Sequence, residues 1–404
     1  VTVSGDGFVT NEAPSYDVTG TITNVGEVDN TFTYEFANGV NAGNYEITPV
    51  YGKLKVTPVT KAVTVTIKEN SGTEKYDGTE KTVTGYTVES ISNPLYTVND
   101  FTFSGSAEVK GTNAGTYNMN LSPSDFTNTN TSNFPNVTFV VEDGQLVIQK
   151  RSVTLTSGSD SKAYDGTALK KETVEVTGDG FAKNEGADYS DFASLTEVGE
   201  TDNTFTYTLQ SNTSANNYDI SVEKGKLTIA ATADEVVVTI KENSGTETYD
   251  GTEKTVTGYA VQSISSKLYT EKDFTFSGKA EVKGTNAGIY DMELTPTDFR
   301  NTNQNFTKVT FVIVDGKLTI EKRKVTLTSA SASKDYDGTP LTAKNVTVSG
   351  DGFANGEGAT YNVYGSQTES GSSKNHFRYS LTQGTNADNY EFRKDLGDLT
   401  VRAI

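Results

Sequence analysis

The tetrapeptide Tyr-Asp-Gly-Thr occurs four times, beginning at Tyr76, Tyr164, Tyr249 and Tyr336. The intervals are 88, 85 and 87 residues (164−76, 249−164, 336−249). A period this long and this constant marks an array of small modules, each about 85 residues long. It reduces the folding problem of a 404-residue chain to that of one module and its joints.

The repeats are of two kinds. Module A occupies 63–150 and 236–322. Val65–Tyr86 and Val238–Tyr259 differ only where Lys75 is replaced by Thr248. Module B occupies 151–235 and 323–404. Its mark is Gly-Asp-Gly-Phe, at Gly178 to Phe181 and Gly350 to Phe353. The same motif at Gly5 to Phe8, and the match of Val25–Tyr34 to Val198–Tyr207, make 1–62 a third B that the chain enters part-way through. The order is B, A, B, A, B, and the reading is a monomeric piece of a larger protein. Each module closes with an Asn-rich turn before a tyrosine (Tyr45, Tyr117, Tyr218, Tyr290, Tyr390). Then comes Gly-x-Leu with two-residue alternation, as in Leu318-Thr319-Ile320, which predicts a last strand with one apolar face.

Strand signals run throughout. Val63-Thr64-Val65-Thr66-Ile67 and Phe205-Thr206-Tyr207-Thr208-Leu209 alternate in residues that suit a pleated, half-buried surface. Gly, Asn, Asp and Ser punctuate them as turns would in an antiparallel domain. Short helical turns are expected at 93–101 and 122–126, the second with Ser or Asp capping. The predicted fold is all-β: a tandem array of small Ig-like β-sandwich modules forming an elongated rod. The alternative is a β-grasp-like module with one short helix. The A-to-B joins at 146–155 and 318–327 leave almost no linker. The B-to-A joins, Thr57 to Ala62 and Ala230 to Glu235, are slightly longer and are where bending is expected.

Composition bounds the function. With no cysteine there is no disulfide, thiolate metal site or thiol nucleophile. A net charge of −19 argues against nucleic acid and anionic membrane as partners. No apolar run approaches the ~18 residues of a membrane span. Only 34% of residues are hydrophobic, so the 21 Tyr and 19 Phe must supply much of each small core.

Few residues carry a chemical signal. His376 stands alone, replaced by Thr31 and Thr204 in the other B modules, and reads as a surface residue. Glu27, Asp29, Glu197, Glu200 and Asp202 read as loop acids; calcium is the one cation they suggest, without an EF-hand spacing. Paired carboxylates for glycoside hydrolysis cannot be singled out, and no cofactor or catalytic residue is expected. Lys68 and Lys241 are the candidate lysines for Lys–Asn isopeptide links. The Tyr-Asp-Gly-Thr motif itself reads as a turn that buries its tyrosine, a structural joint of the array. Segments that differ between copies are the candidate binding loops: Tyr189 and Phe192 in one B, Tyr361 and Tyr364 in the other, and 128–136 against 301–308 in A.

The motif after an alternating first strand, the Asn-Ala-Gly-Thr-Tyr turn and the last Gly-x-Leu-Thr-Ile strand resemble the YDG and MBG-type repeats of bacterial surface proteins. Module B is the closer match to YDG; module A, with Ala107-Glu108-Val109-Lys110-Gly111-Thr112-Asn113-Ala114-Gly115-Thr116-Tyr117, resembles MBG. The resemblance implies a non-enzymatic region of a cell-surface adhesin, cell-wall anchored through another part of the protein. It would act as a stalk or bind a host surface protein or glycan. The alternative is a set of dedicated immunoglobulin- or mucin-binding repeats gaining avidity from repetition. The relaxed Ser214-Ala215-Asn216-Asn217-Tyr218 leaves the rigidity of that one turn open.

Overall fold

A computed structural model describes residues 1–404. The chain folds into two compact units. The first holds Val1–Gly158, Glu172–Phe192 and Thr204–Gly225; the second holds Ser159–Lys171, Ala193–Asn203 and Lys226–Ile404. The division runs through the middle B repeat. Its strands Arg151–Ser157, Val174–Gly178 and Tyr218–Glu223 lie in the first unit, and Asp160–Ala163, Gly199–Asp202 and Lys226–Ala230 in the second.

The second unit shows one complete module of each kind. In module A, Thr232–Glu242 is the centre of a three-stranded sheet, with Tyr259–Ile264 antiparallel on one side and Phe306–Val314 parallel on the other. Lys317–Glu321 is the centre of a second sheet, between Gly245–Thr248 (parallel) and Gly288–Asp291 (antiparallel). Two antiparallel two-stranded sheets complete it: Lys254–Thr257 with Glu281–Gly284, and Phe274–Phe276 with Phe299–Asn301. Strand alternation decides the core. Val236, Val238 and Ile240 point inward at 1, 0 and 0% exposure, and Leu318 and Ile320 join them in one cluster with Tyr269, Phe274, Phe299 and Phe311. Aromatic rings contribute most of the bulk, Phe274 lying 5.3 Å from Phe311 and Phe299 5.5 Å from it.

Module B repeats the plan with one two-stranded sheet in place of two. Arg323–Ser329 is flanked by Val346–Gly350 (antiparallel) and Tyr390–Asp395 (parallel). Asp398–Arg402 is flanked by Ala332–Asp335 (parallel) and Gly371–Lys374 (antiparallel). Ala359–Val363 pairs with Phe377–Leu381.

The expectation of an antiparallel domain is corrected here. The first and last segments of each complete module pair in parallel in both sheets. A crossover of this kind cannot be read from local turns, because the partner is supplied by the far end of the module. The β-grasp alternative is not needed: the only helical pieces are seven three-residue 3-10 turns. Two fall where the sequence predicts them, Val98–Asp100 and Pro123–Asp125. Ser122 and Asp125 cap the latter reciprocally.

One further expectation changes. The acids Glu27, Asp29, Glu200 and Asp202 lie on strands Gly26–Asn30 and Gly199–Asp202, not in loops. The strand leading into each Tyr-Asp-Gly-Thr belongs to the module that contains it, since Ala332–Asp335 pairs with Asp398–Arg402 just ahead of Tyr336. The open module is therefore the first. Gly52–Val56 pairs only with Gly26–Asn30, and Val1, Val3, Val18 and Val28 are exposed.

A buried carboxylate holds the corner where module A's chain passes between its two sheets. Glu242 is 1% exposed; Oε1 accepts from the Leu294 amide and Oε2 from the Gly316 amide, each at 2.6 Å. Glu69 does the same in the other copy, accepting from Leu121 and Gly144. In module B a serine takes this place, Ser329 Oγ accepting from the Gly397 amide at 3.0 Å.

Candidate functional site

A polar constellation lies where a module A meets the following B, and it is built twice. In the first unit, Tyr76 of the A motif donates its hydroxyl to Glu185 Oε1 at 2.5 Å. Tyr218 of the B module donates to Oε2 of the same carboxylate at 2.6 Å. The rings meet edge to face at 5.7 Å and 84°. In the second unit Tyr249, Glu357 and Tyr390 repeat the arrangement, with rings at 5.7 Å and 82°.

Local sequence prepares each part. The Asp of Tyr-Asp-Gly-Thr folds the chain back: Asp77 accepts from the Thr79 amide and hydroxyl and from Lys81 Nζ, while Gly78 takes φ +83°. That turn presents the tyrosine beyond the end of its own sheet. On the B side, Gly350 at φ +77° leaves no room for a side chain: a Cβ there would meet the Lys324 carbonyl at 2.5 Å. The turn lets Phe353 pack 5.3 Å from Tyr390, with Glu357 placed one short loop later.

Arg323, the first residue of module B, ties both sides to the backbone. Its guanidinium donates to the carbonyls of Gly352 (3.0 Å), Tyr249 (3.1 Å) and Asp351. Asn389 (1% exposed) accepts from the Ala287 amide at 2.8 Å and donates to Asn286 at 3.1 Å. Asn217 does likewise with Ala114 and Asn113. The relaxed turn before Tyr218 thus keeps the same bonds, although Ser214 gives no side-chain cap where Asn386 does.

Burial first, and then the Glu357 carboxylate, pushes the Tyr390 phenol up to about 12; the same causes raise Tyr218, Tyr76 and Tyr249. Both oxygens of the carboxylate are engaged by protonated phenols. The arrangement is a clamp with no nucleophile to activate.

The B-to-A joint uses different chemistry. Asn305 (5% exposed) accepts from the Val198 amide through Oδ1 and from the Thr232 amide through its carbonyl, both at 2.9 Å, and donates to Glu197. Tyr164 of the B motif sits 5.5 Å from Phe306, edge on. In the first unit Asn133 takes the same bonds from Val25 (2.8 Å) and Val59 (2.9 Å). The segments 128–136 and 301–308, which the sequence marks as candidate binding loops, therefore hold this joint. The expected looser linker is partly strand: Thr232 and Glu235 pair with Phe306 and Lys308.

Tyr189, Phe192 and Tyr361 are half-buried, lying 6.1 Å from Phe205, 5.8 Å from Phe205 and 6.4 Å from Phe377 respectively. Tyr364 is displayed, 52% exposed, and His376 beside it is exposed as expected. Acids that suggested calcium are engaged by lysines, Asp29 with Lys53 (2.6 Å) and Glu200 with Lys226 (2.8 Å). No group of three or more His, Asp or Glu side chains is arranged to hold a metal ion. Lys68 is exposed and pairs with Glu89.

These features define a class: tandem all-β repeat modules joined by recurrent side-chain clamps. The family model of the MBG domain matches residues 62–150 and 236–322, so the two A modules are MBG domains. Such modules belong to the repeat regions of extracellular surface proteins and are a non-enzymatic kind of domain. No curated protein matches the chain. Among solved structures it is similar to the crystal structure of the protocadherin GammaB4 extracellular domain, at 10% identity and a TM-score of 0.29, over 93% of this chain and 71% of that one.

Proposed function

We propose that this chain is a non-enzymatic stalk region of a bacterial surface adhesin, its modules locked in pairs so that a binding surface is carried away from the cell. The supporting observation is the Tyr–Glu–Tyr clamp, repeated atom for atom at both A-to-B joints while the exposed loops around it vary. A joint that buries two tyrosines and saturates a carboxylate resists hinge motion, which a spacer under tension requires. Attachment to the cell wall through another part of the protein belongs to the same reading.

Force–extension measurement on the full chain, held by its termini, tests this. The expected result is that Glu185→Ala with Glu357→Ala lowers the force at which A–B pairs yield. Equal forces for the wild type and the double variant would sink the stalk reading.

A further inference from the structure

The third B module departs from the rest of the chain in charge. Residues 323–404 hold nine Lys or Arg and nine Asp or Glu, a net of zero, so residues 1–322 carry the whole of the −19. Part of the departure lies on one face of the two-stranded sheet Ala359–Val363/Phe377–Leu381. Thr360, Asn362 and Tyr364 on one strand line, and His376, Arg378 and Ser380 on the other, are all exposed. The corresponding face in the middle B carries Asp188, Ser190 and Phe192 opposite Thr204, Thr206 and Thr208, with Asp191 beside them. In the first B it carries Ser15, Asp17 and Thr19 opposite Thr31, Thr33 and Glu35. Two copies of this face are acidic; the third has no acid and one permanent cation.

The three distinctive side chains are grouped. Tyr364 lies parallel to the His376 ring at 6.1 Å and 13°, and Arg378 stands 5.6 Å from the Tyr364 ring centroid. Arg378 makes no ion pair, in a chain with an excess of carboxylates. Its fork of donors is free to take an anion with two parallel hydrogen bonds. Tyr364 offers an exposed aromatic body beside it. Thr360, Asn362 and Ser380 continue the face with neutral donors and acceptors.

We propose that this face is a binding site for a carboxylate-bearing sugar, a sialic or uronic acid. Arg378 takes the carboxylate, Tyr364 and His376 pack against the apolar face of the ring, and the neutral row meets its hydroxyls. An acidic peptide is the poorer fit, because the uncharged row beside Arg378 suits the hydroxyls of a sugar and offers a peptide's further carboxylates no second cation. The site adds a ligand class to the stalk reading and does not depend on it.

The test is NMR saturation transfer and titration on the full chain with 3′-sialyllactose, a hyaluronan tetrasaccharide, neutral lactose and a glutamate-rich peptide. Binding is expected for one or both acidic sugars, and which of them responds identifies the source of the carboxylate. Arg378→Thr and Tyr364→Thr should each weaken it at least ~tenfold, hydrogen bonds to charged groups being worth that much or more. Both variants install the threonine that another B module carries at the same place, so folding is retained. The proposal is overturned if neither acidic sugar binds, if lactose or the peptide binds as well, or if Arg378→Thr leaves binding unchanged.

Discussion

Tyr249 and Tyr390 belong to different modules, yet they share one carboxylate, Glu357, and meet edge to face. Both are almost fully buried, at 4 and 3% exposure. Replacing Glu357 by alanine leaves two buried hydroxyls without an acceptor. The expected cost is about 2–4 kcal/mol, read by chemical denaturation of the full chain. Tyr249→Phe removes only one of the bonds and should cost about 1 kcal/mol. If Glu357→Ala unfolds at the wild-type midpoint, the clamp does not hold the joint.

The clamp also sets an alkaline limit. Tyr390 is raised from 10.0 to about 12, so its protonated form is favoured by folding. Its contribution is therefore complete below pH ~10 and is lost as pH rises through ~12. Tyrosinate absorbance and loss of β-structure should then rise together in that window. Tyrosines titrating at their ordinary value in the folded protein would contradict the buried clamp.

Acid acts at the other residue of the motif. Lys81 first, and then Thr79, holds the Asp77 carboxyl at about 2, below its ordinary 3.8. A depressed carboxyl contributes above pH ~4 and loses that contribution as pH falls through ~2. In Asp165 and Asp337 the same depression comes from a lysine on the other side of the motif, Lys162 and Lys334. Lys81→Ala should move the Asp77 carboxyl signal, followed by NMR, toward the ordinary range while Asp165 stays put.

The corner carboxylate of module A makes a sharper stability claim. Glu242→Ala leaves the Leu294 and Gly316 amides buried and unpaired. The expected loss is about 2–4 kcal/mol in that module. Glu242→Ser should recover part of it if the short side chain reaches Gly316, as Ser329 reaches Gly397 in module B. Thermal unfolding of the full chain, with the melting module followed by hydrogen exchange, checks both.

The B-to-A joint should respond to a single amide side chain. Asn305→Ala removes the acceptor of the Val198 N–H but spares the carbonyl that holds Thr232. Exchange should quicken at Val198 and change little at Thr232. Uniform quickening across the module would mean that Asn305 supports the fold and not the joint.

Much of this architecture is legible in the sequence. The period, the two module kinds, the strand alternation of Val236, Val238 and Ile240 and the capped turn at Pro123–Asp125 are local, and local patterns survive into the fold. So does the reading of Tyr-Asp-Gly-Thr as a joint, since Tyr76, Tyr164 and Tyr249 all pack on a neighbouring module. The clamp is not legible in this way, because Glu185 and Glu357 look like any other acid in a chain rich in them. Their one available signal is their recurrence, with Glu12, a few residues after each Gly-Asp-Gly-Phe. The variable stretch around Asn305 reads as a free loop for the same reason: its partner Val198 lies far away in the chain.

The amino-acid sequence by itself determined that this chain is an array of small all-β modules rich in aromatic core, because periodicity and residue type act over a few neighbouring residues. Only the tertiary structure decided that the first and last strands of each complete module pair in parallel, that Glu242 is buried, and that one glutamate serves two tyrosines across a joint. Those outcomes depend on which distant groups exclude water together, and that is a property of the packed chain.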